Sequence, residues 1–243
     1  LIGLSKVKET INGFVSVIEL NRKLGRMPDF NMHMIFKGNA GTGKTTVARL
    51  LAEIYYNLGY VKRNKLVEVQ SQDLIGEFLG QTGPKTQAII ESALDGVLFI
   101  DEAYQLNPYT ANRADTFKEE CIAELIQQME NNRDKLVVIF AGYTDEMRDF
   151  LERANTGLKS RIGREIEFPD YSADELIEIF EKIVESNGMK LEDAAKFKAR
   201  GIIEEASLDK ARFGNARFAR SLYERIEIRR GLISTVNYQL STK

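Results

Sequence analysis

The sequence of 243 residues contains one cysteine and one histidine. A lone cysteine, Cys121, excludes a disulfide framework within the chain and fits a reducing, cytoplasmic setting. It lies on an apolar helical stripe and reads as a small core residue. A lone histidine, His33, cannot build a metal centre by itself and reads as a packed residue at the start of a strand. Long apolar runs are missing as well. None reaches the roughly 18 residues that a membrane-spanning helix needs, so no membrane partner is expected. No signal peptide, internal repeat or low-complexity segment is visible. The chain starts at Leu1 without methionine, which reads as a piece excised from a longer protein. Charge of one sign is also lacking. The 34 basic and 36 acidic side chains leave a net charge of −2, so nothing draws the chain as a whole toward nucleic acid or anionic lipid.

What is present is patterned. Apolar residues make up 43% of the chain and charged residues 29%, which is ordinary for a globular protein. "KVKETINGFVSVIELNRKLG" carries Val7, Ile11, Phe14, Val15 and Ile18 at helical spacing. "HMIFKG" reads as a strand running into a glycine-rich turn. "KTTVARLLAEIYYNLG" is a helix ended by Gly59, with Tyr55, Tyr56 and Tyr60 packing its end. "KLVEVQ" alternates like a strand, and "KTQAIIESAL" reads as a helix. "GVLFIDEA" and "KLVVIFAG" are fully apolar strands, the pattern of burial on both faces. "FKEECIAELIQQMENN" is a helix between them, and "REIEF" is a shorter alternating strand. Strands that alternate with helices predict an α/β fold with a doubly wound, mostly parallel sheet of five strands. The pattern changes after "FPDYS". Ser172 reads as an N-cap with Glu175 at the capping-box position, and only helices follow. The expected division is an α/β domain over 1–170 and a small helical domain over 171–243. Within the latter, "RIEIRRG" mixes both signs of charge as a solvated helix face does.

The strongest chemical signal is "GNAGTGKT", residues Gly38, Asn39, Ala40, Gly41, Thr42, Gly43, Lys44 and Thr45. This is the phosphate-loop pattern between a strand and a helix. Small residues let successive N–H groups curl around phosphates at the positive end of the helix. Lys44 would reach the terminal phosphates of ATP, and Thr45 would ligate Mg²⁺. In "VLFIDEA", Asp101 ends an apolar strand and would hold Mg²⁺ through water. Glu102 beside it would polarise an attacking water. A cation is also needed against charge developing on the γ-phosphate. Arg161 and Arg164 precede the last strand of the α/β domain, and Arg217 lies near the start of a helix in the second. Taken singly, each arginine reads as a surface charge.

The order of these motifs, "IGL", "GNAGTGKTT", "FLG", "VLFIDEA", "AGY", "SRIGR" and "GNAR", resembles that of AAA+ ATPases over essentially the whole chain. "GQTGPKT", "DGVLFIDEAY", "QQMENNRDKLVVIFAGY" and "FGNAR" resemble one branch, the red-type Rubisco activases and the stage V sporulation protein K-like ATPases. The resemblance implies a P-loop module with a helical lid. Gly38, Gly41, Gly43, Lys44, Thr45 and Thr46 would form Walker A, and Asp101 and Glu102 Walker B. The backbone at Ile2 and Gly3 would lie near the adenine. Arg161, with Arg164 as second candidate, would be an arginine finger reaching a neighbouring subunit. Arg217 would be sensor 2. The family's usual sensor 1 asparagine is absent. "AGYTD" offers Tyr143, as sensor or as packing, then Thr144 and Asp145. In "GEFLGQTGPKT", Phe78, Leu79 and Gly80 match the aromatic–aliphatic–glycine form of a pore loop. The alternative is a Phe78 tucked under the next helix.

These readings predict a Mg²⁺-dependent ATPase that works as a homo-oligomeric ring, a hexamer, on a protein client. The sporulation-type reading is placed ahead of a red-type Rubisco activase. A nucleic-acid motor would need basic residues in the central loop, where only Lys85 stands, with Glu77 nearby. A nucleotide switch of low turnover would not need Glu102. A small-molecule kinase would need an acceptor pocket and no arginines acting in trans.

Overall fold

Apolar residues at alternating positions bury themselves on both faces of a five-stranded sheet. The computed structural model describes residues 1–26, 31–110, 113–153, 156–209 and 213–241. The strands are β1 (Met34–Gly38), β2 (Leu66–Gln70), β3 (Gly96–Asp101), β6 (Leu136–Gly142) and β7 (Arg164–Phe168), in the spatial order β2-β3-β6-β1-β7. Every neighbouring pair is parallel. The interior strands β3, β6 and β1 are buried almost throughout, whereas the edge strands β2 and β7 alternate. The continuous and the alternating apolar patterns therefore report position within the sheet.

One face carries Ile35, Leu98, Ile100, Leu136, Val138 and Phe140. Over it pack α4 (Thr82–Ala93), α5 (Thr116–Asn131), α6 (Thr144–Arg153) and α7 (Thr156–Arg161), through residues such as Ile90, Leu125, Phe150 and Leu158. Cys121 is buried in this layer, and burial pushes its thiol up to about 11, which keeps it protonated and inert. The other face meets α1 (Ser5–Lys23) and α2 (Lys44–Asn57), which bury Phe14, Ile18, Val47, Leu51 and Tyr55. Each fully buried side chain of this size contributes about 1.5–3 kcal/mol. Tyr55 and Tyr60 pack at 5.7 Å between ring centroids, but Tyr56 is 45% exposed and does not pack the helix end.

His33 is buried ahead of β1. Its Nδ1 accepts the Val138 N–H at 3.0 Å, and its carbonyl accepts the Gly163 N–H at 3.0 Å. Burial lowers its pKa to about 4, so it serves as a neutral strut. Three small elements escape the periodic pattern: α3 (Ser71–Leu74), a 3-10 turn (Ala103–Leu106) and a hairpin of β4 (Tyr109–Thr110) with β5 (Arg113–Ala114). The helix read as "KTQAIIESAL" begins earlier, at Thr82, so only Ile75–Gln81 of that connection is loop.

The described chain divides into two compact units. One comprises Ser5–Gly38 and Gly43–Phe168; the other comprises Leu1–Leu4, Asn39–Thr42 and Pro169–Lys243. The second is built on α8 (Ala173–Ser186), α9 (Asp193–Ser207) and α10 (Ala216–Ser241), with Leu176, Phe180, Ile203, Ala219 and Leu222 in its core. Ser172 accepts the Glu175 N–H at 3.2 Å while the Glu175 carboxylate accepts the Ser172 N–H at 2.7 Å, so a full capping box starts α8.

Candidate functional site

Parallel strands bring their carboxyl ends to one edge, the place where open α/β sheets bind ligands. Here that edge collects Gly38, Gln70, Asp101, Gly142 and Phe168. After Gly38 the chain turns and enters α2. Gly43, at φ 95°, caps that helix from the left-handed region, which costs glycine nothing. The first turn of α2 holds no acidic residue, so its N–H groups keep their positive end for an anion.

Within the α/β unit, the Lys44 ammonium donates to the Gly38 carbonyl at 2.7 Å and lies 6.0 Å from the Tyr143 ring centre. Thr45 and Asp101 line one cavity of about 250 Å³ together with Glu68, Gln70 and Asp73. A hydroxyl and a carboxylate on one wall suit an octahedral Mg²⁺ that takes its other ligands from phosphate and water. Among the described residues, no cluster of three or more His, Cys, Asp or Glu could hold a metal, and such a site does not require one. Thr46 points outward and is exposed.

The Asp101–Glu102 step is strained. Glu102 has φ 51° and ψ 39°, a left-handed conformation that costs a residue with a side chain about 1–2 kcal/mol. Several bonds hold it there. Its N–H donates to Asp101 Oδ1 at 3.0 Å, and its carboxylate accepts from the Gln105 amide. The buried Ser71 hydroxyl donates to the carbonyls of Glu102 at 2.8 Å and Asp101 at 3.2 Å. The sequence reading did not single out Ser71. It follows β2 directly, which was its only signal.

Of the three residues offered for sensor 1, Tyr143 is the one beside Lys44. Its ring also lies 6.0 Å from that of Tyr104. Its carbonyl accepts the Met147 N–H at 2.9 Å, opening α6. Thr144 and Asp145 fall in the first turn of that helix, with Asp145 exposed and paired with Arg148 at 3.2 Å.

The two finger candidates differ. The Arg161 guanidinium, 24% exposed, donates to the Gly157 carbonyl at 2.9 Å and pairs with Glu130 at 3.1 Å. Arg164 is exposed and lies over the Phe14 ring at 5.2 Å. Neither lines the cavity of Thr45 and Asp101. In the connection between α3 and α4, Phe78 is 66% and Leu79 83% exposed. The root of that loop is stapled: Gly76 N–H donates to Thr82 Oγ1 at 3.0 Å, and the Lys85 ammonium to the Ile75 carbonyl at 2.8 Å. Gly80, at φ 79°, closes the turn. Phe78 is thus not tucked under α4.

Within the helical unit lie Ile2, Gly3, the tip of the phosphate loop and Arg217. The Gly3 backbone packs on the Glu175 side chain so closely that a Cβ would fall 2.0 Å from Oε1. A Cβ on Gly41 would fall 2.1 Å from the Gly214 carbonyl, so only glycine fits there. The Thr42 hydroxyl donates to the Asn39 carbonyl at 2.8 Å. Arg217 is exposed in the first turn of α10.

Comparison with known proteins agrees with this geometry. Residues 34–170 match the model of the "ATPase family associated with various cellular activities (AAA)", and residues 172–237 match an AAA lid domain. The protein CbbX of Cereibacter sphaeroides is 42% identical over 233 residues, which is 94% of this chain and 74% of that protein. A chloroplastic ribulose bisphosphate carboxylase/oxygenase activase of Cyanidioschyzon merolae is 40% identical over 94% of this chain and 78% of its own length. The Thermotoga maritima RuvB Holliday junction branch migration motor superposes with a TM-score of 0.63, covering 96% of this chain and 64% of that one, at 23% identity; this likeness concerns the fold. The curated relatives correct the order of the two branch readings: they are of the activase type, and none of these findings supports the sporulation-type label or keyword. The matching family model, the lid and the relatives together place this chain in the AAA family as an α/β P-loop ATPase with a helical lid domain, one that binds and hydrolyses ATP.

Proposed function

We propose that the chain is the motor of a ring, a hexamer, that spends ATP on remodelling a protein client, and that the client is a ribulose bisphosphate carboxylase/oxygenase. The observation that carries this reading is the 40% identity to an activase over 94% of the chain. The exposed Phe78-Leu79 pair on a stapled loop supports it, because an aromatic and an aliphatic tip can hold an extended polypeptide by unspecific apolar contact. The single lysine of that loop's margin, Lys85, is engaged with Ile75, which disfavours a nucleic-acid motor.

In the hydrolytic step, Lys44 leaves the Gly38 carbonyl for the phosphates of ATP, and the N–H groups of the loop and of the start of α2 cradle them. Thr45 would ligate Mg²⁺ and Asp101 would hold it through water; when bound it would neutralise phosphate charge. Glu102 takes the proton of the attacking water. Tyr143 orients that water beside Lys44. Arg161 of a neighbouring subunit, released from its own Glu130, stabilises the γ-phosphate charge, and Arg217 senses it from the lid. The test is reactivation. The chain, ATP and an inactive ribulose bisphosphate carboxylase/oxygenase are mixed and carboxylation is followed. Recovery that requires ATP and is lost in Phe78→Ala, with ATPase turnover retained, is expected. An ATPase-active chain that leaves the carboxylase inhibited would refute the client assignment while leaving the ATPase reading intact.

A further inference from the structure

Three consecutive residues of the phosphate loop are fastened to the helical unit by bonds that phosphate chemistry does not use. Asn39 Nδ2 donates to both carboxylate oxygens of Asp170 at 3.0 Å. The Ala40 carbonyl accepts from Asn215 Nδ2 at 3.2 Å. The Gly41 carbonyl accepts the Ala216 N–H at 3.2 Å.

Asn215 is the hub. Its Nδ2 also donates to Asp170 Oδ1 at 2.9 Å, and its Oδ1 accepts the Tyr171 N–H at 3.0 Å. Both amide hydrogens and the amide oxygen are thereby used, and exchanging N with O would set oxygen against two oxygens, so the amide has one orientation. The residue is 1% exposed and has φ 48°, a left-handed conformation that asparagine tolerates better than most residues. A residue needed only to begin α10 would have no reason to reach Ala40. We propose that Asn215 and Asp170 are positioning residues for the nucleotide: they hold the loop tip Asn39–Gly41 on the lid, so that the loop's amides travel with α10. ATP affinity then depends on two side chains that do not touch ATP.

This rests on ATP binding at the phosphate loop, whatever the client. The experiment compares Asn215→Gly, which keeps the left-handed backbone but loses the amide, with Asp170→Asn and Asn39→Ala in the whole chain. Three readouts are taken: the Kd for a fluorescent ATP analogue, the kcat and KM of hydrolysis, and the melting temperature without nucleotide. Asn215→Gly is expected to weaken analogue binding and raise KM about tenfold, the effect of losing bonds to a charged partner. Asn39→Ala should act in the same direction. The double variant should lose less than the product of the two, because both act through Asp170. A lower melting temperature with unchanged Kd and KM would make Asn215 a purely structural residue and overturn the proposal. Should Asn215→Gly not fold, unchanged affinity in both Asn39→Ala and Asp170→Asn overturns it equally. Lys44→Ala, run in parallel, must abolish analogue binding; if it does not, the phosphate-loop reading fails instead.

Discussion

Ser71→Ala removes one oxygen from beneath the strained step that carries the candidate base. The Ser71 hydroxyl is the donor shared by the carbonyls of Asp101 and Glu102, at 3.2 and 2.8 Å. The Glu102 carbonyl keeps a second donor, the Gln105 N–H at 2.9 Å, so the full cost of an orphaned buried carbonyl does not arise. About 1–2 kcal/mol of stability should be lost, read as a drop of about 2–8 °C in melting temperature for a chain of this size. The larger effect should be on turnover. With one restraint gone, the left-handed φ of 51° at Glu102 relaxes and the carboxylate shifts; a displacement of about 1 Å can cost as much as a hundredfold in rate. A steady-state ATPase assay should show kcat down at least tenfold, with KM within about twofold because Lys44 and the loop are untouched. Wild-type kcat in a folded Ser71→Ala chain would show that the hydroxyl does not hold the base in place.

Further outcomes follow from the same geometry. Glu102→Gln should bind ATP in the presence of Mg²⁺ but not turn it over, measured by analogue titration beside phosphate release; near-normal release would remove Glu102 as the base. Arg161→Ala should keep ATP binding and lose hydrolysis, and mixing it with Lys44→Ala subunits should restore part of the activity; an inactive mixture would speak against a finger working in trans. His33 titrates near 6.5 when unfolded and near 4 when folded. The stability it contributes is therefore complete above pH 6.5 and lost as pH falls toward 4, about 2 kcal/mol of it by pH 5. Denaturant midpoints at pH 7 and pH 5 should fall less in His33→Asn than in the parent; equal falls would refute the assignment.

The layered core was legible because burial imposes period and continuity on long elements: the apolar β3 and β6 could hardly be anything but central strands. α3, with four residues, is too short to show a period. α6 buries Met147, Phe150 and Leu151 at helical spacing, but three apolar positions in 10 residues are too few to mark a helix. At the site, the phosphate loop was readable because its chemistry requires contiguous residues. The Asn215–Ala40 bond spans 175 positions and the Ser71–Glu102 bond 31, and no local pattern encodes such pairings. Only the Gly-Asn-Ala-Arg string hints at the first, and it does not say which residue the asparagine meets.

The patchwork make-up of the helical unit bears on how the protein is born. Leu1–Leu4 and Asn39–Thr42 leave the ribosome well before the segment from Pro169 onward with which they form one unit. A nascent chain that has completed the sheet still has no Asp170 for Asn39 and no Asn215 or Ala216 for the carbonyls of Ala40 and Gly41. Synthesis at about 5–20 residues per second leaves the tip of the phosphate loop without these partners for seconds, and it acquires its last ones only when the start of α10 emerges. The tip of the phosphate loop is therefore completed late, after the sheet and helices that carry Lys44, Thr45, Asp101 and Glu102.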